Sequence, residues 1–306
     1  MRNRVRIIAA ALALIGGTAL ILTGFEAWRG HGRITPGRAV REAEAALRID
    51  PILGNPETRQ AVRLGAALSI RARLRTPEAL FIQGVQFEQE GDTLRAEDRY
   101  WDAVERNNKY ALAWVALGLL LSRKGSTDSL IRAEEALGWA VAVEPDLARA
   151  RTAHAMVLRR LGRLQEAADE ARAAVELDPD EPSNRNNYGN ALISLGDVEG
   201  AAREYEAAIA LNPDLAMPYY NLACARCRQG RLEEALRLLD LAFRRDPAMR
   251  DGAENEPDLQ PLRNMEAFQS LLEGRPLPPQ PEPESPDPAD REPEKAPSDG
   301  NAPAAS

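Results

Sequence analysis

Residues 188–213 read YGNALISLGDVEGAAREYEAAIALNP, and this stretch decides the fold. It runs from an aromatic and a small residue (Tyr188-Gly189) to a turn glycine (Gly196). A second alanine-rich segment (Ala201, Tyr205, Ala208) follows, and Pro213 closes it. Working outward, the same marks return at a fixed interval. Pro145, Pro179, Pro213 and Pro247 are 34 residues apart, and so are Gly162, Gly196 and Gly230, Ala167, Ala201 and Ala235, and Ala174, Ala208 and Ala242. A period in this range marks stacked supersecondary units. Each unit reads as two helices. Small residues mid-way along the first (Gly84, Gly118, Ala155, Gly189, Ala223) and early in the second (Ala96, Ala133, Ala167, Ala201, Ala235) let the two approach closely, with Tyr100, Leu137 and Tyr205 filling the flanks. Glycine just past the first helix ends it, and proline stops the second.

This pattern resembles the tetratricopeptide repeat, whose signature W-x2-L-G-x2-Y, A-x3-F, P is approached by WVALGLLL from Trp114, YGNALISLG from Tyr188 and YYNLACARC from Tyr219. The resemblance implies an all-α fold, an α-solenoid of helix-turn-helix repeats. Five repeats are expected over 77–249, with turns at 110/111, 147/148, 181/182 and 215/216. The second repeat carries three extra residues near Ser126-Thr127-Asp128-Ser129, and the first has Asn108 where the others have proline. Residues 36–76 read as a degenerate half-repeat, with the second-helix pattern of Ala39, Ala43, Ala46 and Pro51, plus an extra helix. Residues 250–274, with Leu262, Met265, Phe268, Leu271 and Leu272 at helical spacing, read as a capping helix that covers the last apolar face. From 275 to 306 the chain is rich in Pro, Glu and Asp, a composition that reads as a disordered tail.

Residues 1–6 form a short basic N-terminus, and 7–25 carry no charge, long enough to cross a hydrocarbon core. Residues 7–28 are therefore read as one transmembrane helix, an uncleaved signal anchor, against the competing reading of a cleaved signal peptide. The expected setting is a bacterial inner membrane, single-pass, with the lipid bilayer as a partner. The repeats are then periplasmic, or cytoplasmic in the alternative orientation.

The whole chain has formal net charge −8, an acidic balance that argues against nucleic acid as partner. Of its cations only Lys109, Lys124 and Lys295 are lysine. There is no HExxH, GxSxG or Walker-type loop, and two histidines leave little acid–base capacity, so no catalytic residue, no enzyme activity and no cofactor are expected. The two cysteines, Cys224 and Cys227, form a CxxC inside a first helix. They lie two turns from the N-terminus whose dipole would lower a thiol pKa, and no second ligand pair exists for zinc. They are read as packed helix residues, as is His154, which holds a core position; no metal site is expected.

In the resembled family, first-helix positions 2, 5, 6, 9, 12 and 13 tend to face a concave groove. That implies a peptide groove lined by Arg149, Thr152, Met156, Arg159, Arg160, Asn186, Asn187, Asn190, Tyr220, Asn221, Cys224 and Arg228, with Val115, Leu119 and Arg123 in the repeat before. Guanidinium forks suit carboxylates and amides suit an extended backbone. The competing reading is that the asparagines serve packing and the arginines are solvated. The functional expectation is a membrane-tethered interaction scaffold or assembly factor holding an extended peptide of a protein partner, for an envelope, secretion or inner-membrane complex. The alternative is a c-type cytochrome biogenesis chaperone-like factor.

Overall fold

The computed structural model describes residues 35–49 and 54–277. They form helical pairs. α1 (Pro36–Ile49) pairs with α2 (Pro56–Arg71), α3 (Pro77–Gln89) with α4 (Thr93–Arg106), and α5 (Ala111–Arg123) with α6 (Thr127–Val143). α7 (Ala148–Arg160) then pairs with α8 (Leu164–Leu177), α9 (Pro182–Leu195) with α10 (Val198–Leu211), and α11 (Ala216–Arg228) with α12 (Leu232–Arg245). Each helix packs on its neighbours in sequence, and each odd-numbered helix also touches the next odd-numbered one. The odd helices therefore make a continuous inner layer and the even helices an outer one. Residues 36–71, read from the sequence as a half-repeat plus a helix, form one such pair, with α1 in the inner layer against α3.

The close approach inside each pair has a visible cause. A Cβ at Gly189 would stand 2.5 Å from the Tyr205 ring, one at Gly84 2.5 Å from the Tyr100 ring, and one at Gly118 2.5 Å from Leu137. Tyr100, Tyr205 and Leu137 are fully buried because the glycines leave room for them. The helix ends follow the punctuation of the sequence. Gly196 takes φ +88° at the end of α9, and Asp197 N–H reaches back to Leu192 O at 3.0 Å. Before each closing proline the backbone is extended, as at Asp178 (φ −140°) and Asn212 (φ −145°). Asn107 adopts the same geometry (φ −145°) although Asn108 is not proline; its side chain accepts the Lys109 N–H at 3.0 Å.

Two expectations about local structure change. The three extra residues of the second repeat do not lengthen its turn. They extend α6 to 17 residues, because Ser126 caps the added turn by accepting the Ser129 N–H at 3.1 Å. The capping element is not one helix. It runs as a 3-10 turn (Pro247–Met249), α13 (Arg250–Ala253), a second 3-10 turn (Pro257–Leu262) and α14 (Glu266–Leu272). Pro257 and Pro261 each lack an amide donor, which breaks an α-helical ladder. The broken segment still buries Leu259, Leu262, Phe268 and Leu271 against α12, so the last apolar face is covered.

The expected anchor over 7–28, with the basic residues 1–6, lies outside the described residues, as does the tail from 278 onward. The single-pass inner-membrane placement is corrected: among the described residues no helix is long and apolar enough to cross a membrane.

Candidate functional site: a polar cleft in the inner helix layer

The inner layer carries a cleft of about 510 Å³ between α7, α9 and α11, closed at one end by the second 3-10 turn. Of the residues read from the sequence, Arg159, Asn190, Tyr220, Asn221, Cys224 and Arg228 line it together. Asn221 Nδ2 donates to Asn186 Oδ1 at 2.9 Å and to Asn190 Oδ1 at 3.2 Å, and Tyr205 Oη–H donates to Asn190 Oδ1 at 2.8 Å. The amides of α9 and α11 thus form a fixed ladder, half-buried along the cleft. Asn186 Nδ2, Asn190 Nδ2 and Asn221 Oδ1 keep no hydrogen bond among the described residues. Of these, Asn190 Nδ2 and Asn221 Oδ1 belong to residues that line the cleft, a donor and an acceptor of the kind that pairs with the peptide backbone.

The arginines differ from one another in their surroundings. Arg228 donates from Nε to Asp258 Oδ1 at 2.8 Å, and that bond raises its pKa. Arg160 donates to Ser122 O at 2.7 Å, tying α7 to the end of α5. Arg123, further along, is paired with Glu88, which also accepts the Tyr100 hydroxyl at 2.7 Å. Arg149 and Arg159 form no ion pair among the described residues, although the charge of Glu88 is felt at Arg149. Desolvation by the groove wall lowers the Arg149 pKa, yet the residue stays exposed to water, and a guanidinium in that setting remains cationic at neutral pH. Met156 sits between these two arginines on α7 and is 41% exposed.

Other expected site residues serve the scaffold. The Thr152 hydroxyl lies 2.8 Å from Asn184 Oδ1, joining α7 to α9, and Asn187 donates to Ser183 O at 2.8 Å on its own helix. Asn184, absent from the expected groove set, is buried and donates to Ala174 O and Asp178 O, closing the end of α8. Its only signal in the sequence was its place in the first turn of a helix, two residues after Pro182. Glu256 and Asp258 were also missed, because a segment read as regular helix gave no reason to place them in the cleft.

Cys224 and Cys227 are both free and buried. Burial pushes both thiols up, Cys227 to about 11 and Cys224 further, with Glu256 and Asp258 adding to the shift of Cys224. His154 lies 3.6 Å from both Glu134 and Glu170, carboxylates of the helices on either side, without a hydrogen bond. Among the described residues no cluster of three or more His, Cys, Asp or Glu could hold a metal ion.

Residues 132–182 match a family model described as tetratricopeptide repeat, and residues 189–230 one described as TPR repeat. No curated protein matches the sequence. Among solved structures, a thermophilic TPR protein of Thermus thermophilus is 21% identical with TM-score 0.50, covering 57% of this chain and 94% of that one. MamA of Desulfovibrio magneticus is 14% identical with TM-score 0.49, covering 56% of this chain and 96% of that one. YrrB, described as a TPR protein with an unusual peptide-binding site, is 21% identical with TM-score 0.46, covering 58% and 91%. At these identities the likeness is one of fold alone, and the last two are too distant to carry an argument. The paired helices, the recurring crossover glycines and the two family matches together make the described residues an all-α helical-repeat solenoid that carries tetratricopeptide repeats over 132–182 and 189–230.

Proposed function

We propose that the chain is a protein-interaction module that holds an extended, acidic peptide segment of a partner in the inner-layer cleft. The observation that carries this reading is the combination of unfilled amide groups on Asn186, Asn190 and Asn221 with guanidinium groups on Arg149 and Arg159 that form no ion pair among the described residues. Amides in a fixed ladder bind a backbone without ordering cost, and guanidinium groups add selectivity for carboxylates. Tyr220 and the exposed Met156 give an apolar side chain of the ligand a surface between charged contacts. The remaining residues expected in the groove, Arg160, Thr152 and Asn187, support the wall rather than face the ligand, and Cys224 contributes its apolar surface. The membrane placement has no part in this reading.

The test uses a fluorescein-labelled peptide of alternating Glu and Ala, titrated with the full chain and followed by anisotropy. Binding is expected to weaken at least fivefold in Arg159→Glu and again as salt rises, because partly exposed charges are screened. Arg203→Glu, on the exposed side of α10, is expected to change little. Equal affinity of the Arg159→Glu and natural chains would remove the groove from the account.

A further inference from the structure

The acidic segment that follows the array has a place to go. On α7 the guanidinium groups of Arg149 and Arg159 are exposed and form no ion pair among the described residues, Arg160 is held by Ser122 O, and the helix carries no acidic residue. Its other arginine, Arg151, is paired outward with Glu170 at 2.8 Å. One repeat further on, the chain already shows how such a cation is met. The irregular stretch Glu256-Pro257-Asp258 enters the cleft and seats Asp258 on Arg228, with Glu256 beside it in the lining. The same pattern of acid, proline, acid returns at Glu282-Pro283-Glu284, within the run EPESPDPAD of 282–290, which holds four acids and no base.

We infer that residues 282–290 dock in cis on the α7 arginines and compete there with the partner segment, so that the protein carries its own groove ligand. The inference rests on the groove reading above. Charge is complementary: four carboxylates are offered to Arg149 and Arg159, neither of which forms an ion pair among the described residues. The geometry allows the reach. The last described residue, Leu277, packs against the hydrophobic cluster of the α11–α12 repeat. From α11 to α9 to α7 is two helix-to-helix steps, about 20 Å at the usual 8–10 Å spacing. A proline-rich strand advances about 3.1 Å per residue, so Glu284 reaches about 22 Å beyond Leu277 and Asp287 about 31 Å. Proline also restricts φ before binding, which lowers the ordering cost of a docked extended segment. Tethering makes the encounter intramolecular, with an effective concentration in the millimolar range for a linker of matching span.

The experiment compares the natural full chain with a full chain carrying Glu282→Gln, Glu284→Gln, Asp287→Asn and Asp290→Asn. The probe is a fluorescein-labelled peptide of the sequence of residues 280–292, added in trans and followed by anisotropy at low salt. The neutralised chain is expected to bind the probe at least tenfold more tightly than the natural chain, and addition of Arg149→Gln with Arg159→Gln is expected to abolish that gain. Equal probe affinity of the natural and neutralised chains, with binding still dependent on Arg149 and Arg159, would overturn cis docking and leave the groove reading standing. Failure of the neutralised chain to bind this probe while it binds the Glu-Ala peptide would overturn the tail as ligand. Binding of both probes that ignores Arg149 and Arg159 would overturn the two readings together. Sedimentation of the natural chain as a dimer that dissociates on neutralisation would assign the site to a second copy instead.

Discussion

Cys224 and Cys227 sit one helical turn apart in the C-terminal half of α11, and their chemistry is set by burial rather than by the motif they spell. A thiol whose pKa is raised stays protonated, and the protonated thiol is a poor nucleophile. With Cys227 near 11, its thiolate fraction at pH 8 is roughly 200-fold below that of a free thiol. Native-state alkylation by iodoacetamide at pH 8 is therefore expected to run at least ~100-fold slower than in urea, followed by intact mass. The same shift predicts a pH effect on stability. The unfolded chain releases these protons first, so stability is expected to fall as pH rises from about 8.5 toward 11. A reactive pair at pH 8 would contradict the burial. Along the cleft, Asn221→Ala removes the donor that bridges Asn186 and Asn190. It is expected to weaken peptide binding with a smaller salt dependence than Arg159→Glu, since a dipole and not a charge is lost. Salt series of the two variants, measured by anisotropy, separate these contributions.

At the scale of the helix pair, the glycines divide into those that make room and those that do not. Gly189 faces the Tyr205 ring so closely that Gly189→Ala must move the ring or part the helices, an overpacking cost of about 1–3 kcal/mol. Gly138 is the contrasting case. It lies inside α6, and a Cβ there would meet nothing within 4 Å. Gly138→Ala is expected to stabilise by about 0.5–1 kcal/mol, because alanine loses less backbone entropy on entering a helix. Urea denaturation of both variants checks the pair of signs; the same sign for both would contradict the crossover geometry. The pairs around the cleft are packed with small side chains, Ala155, Ala168, Ala171 and Ala191 forming one buried cluster. Polar ties such as Thr152–Asn184 and Asn221–Asn190 join the helices there, so the residues that line the groove also set its shape.

For the whole molecule, the array needs its terminal cover. Leu239 and Phe243 of α12 are fully buried in one cluster with Leu259, Leu262, Phe268 and Leu271 of the terminal segment. Phe268→Ala is expected to cost about 3–5 kcal/mol, the range for a buried phenylalanine. Because repeats are stabilised by nearest neighbours, the loss should concentrate in the last pair. Hydrogen exchange is expected to show protection falling across 216–245 while 77–123 stays unchanged. Uniform loss over the array would mean the solenoid opens as one unit.

The 34-residue period, the crossover glycines and the closing prolines carry the fold in local terms, because each acts within one helix pair or one turn and is read from neighbours close in sequence. That is why the starts of the inner helices at Pro77, Ala111, Ala148, Pro182 and Ala216 follow from the repeat frame. The expected groove set was legible only as a set of positions. Which arginines are paired was decided by tertiary contacts: Glu88 pairs with Arg123 from another helix, Asp258 reaches Arg228 from an irregular segment, and Arg149 and Arg159 form no ion pair among the described residues. A repeat frame says where a side chain points along its helix. It does not say what stands opposite, and charge pairing, amide satisfaction and thiol burial all depend on what stands opposite.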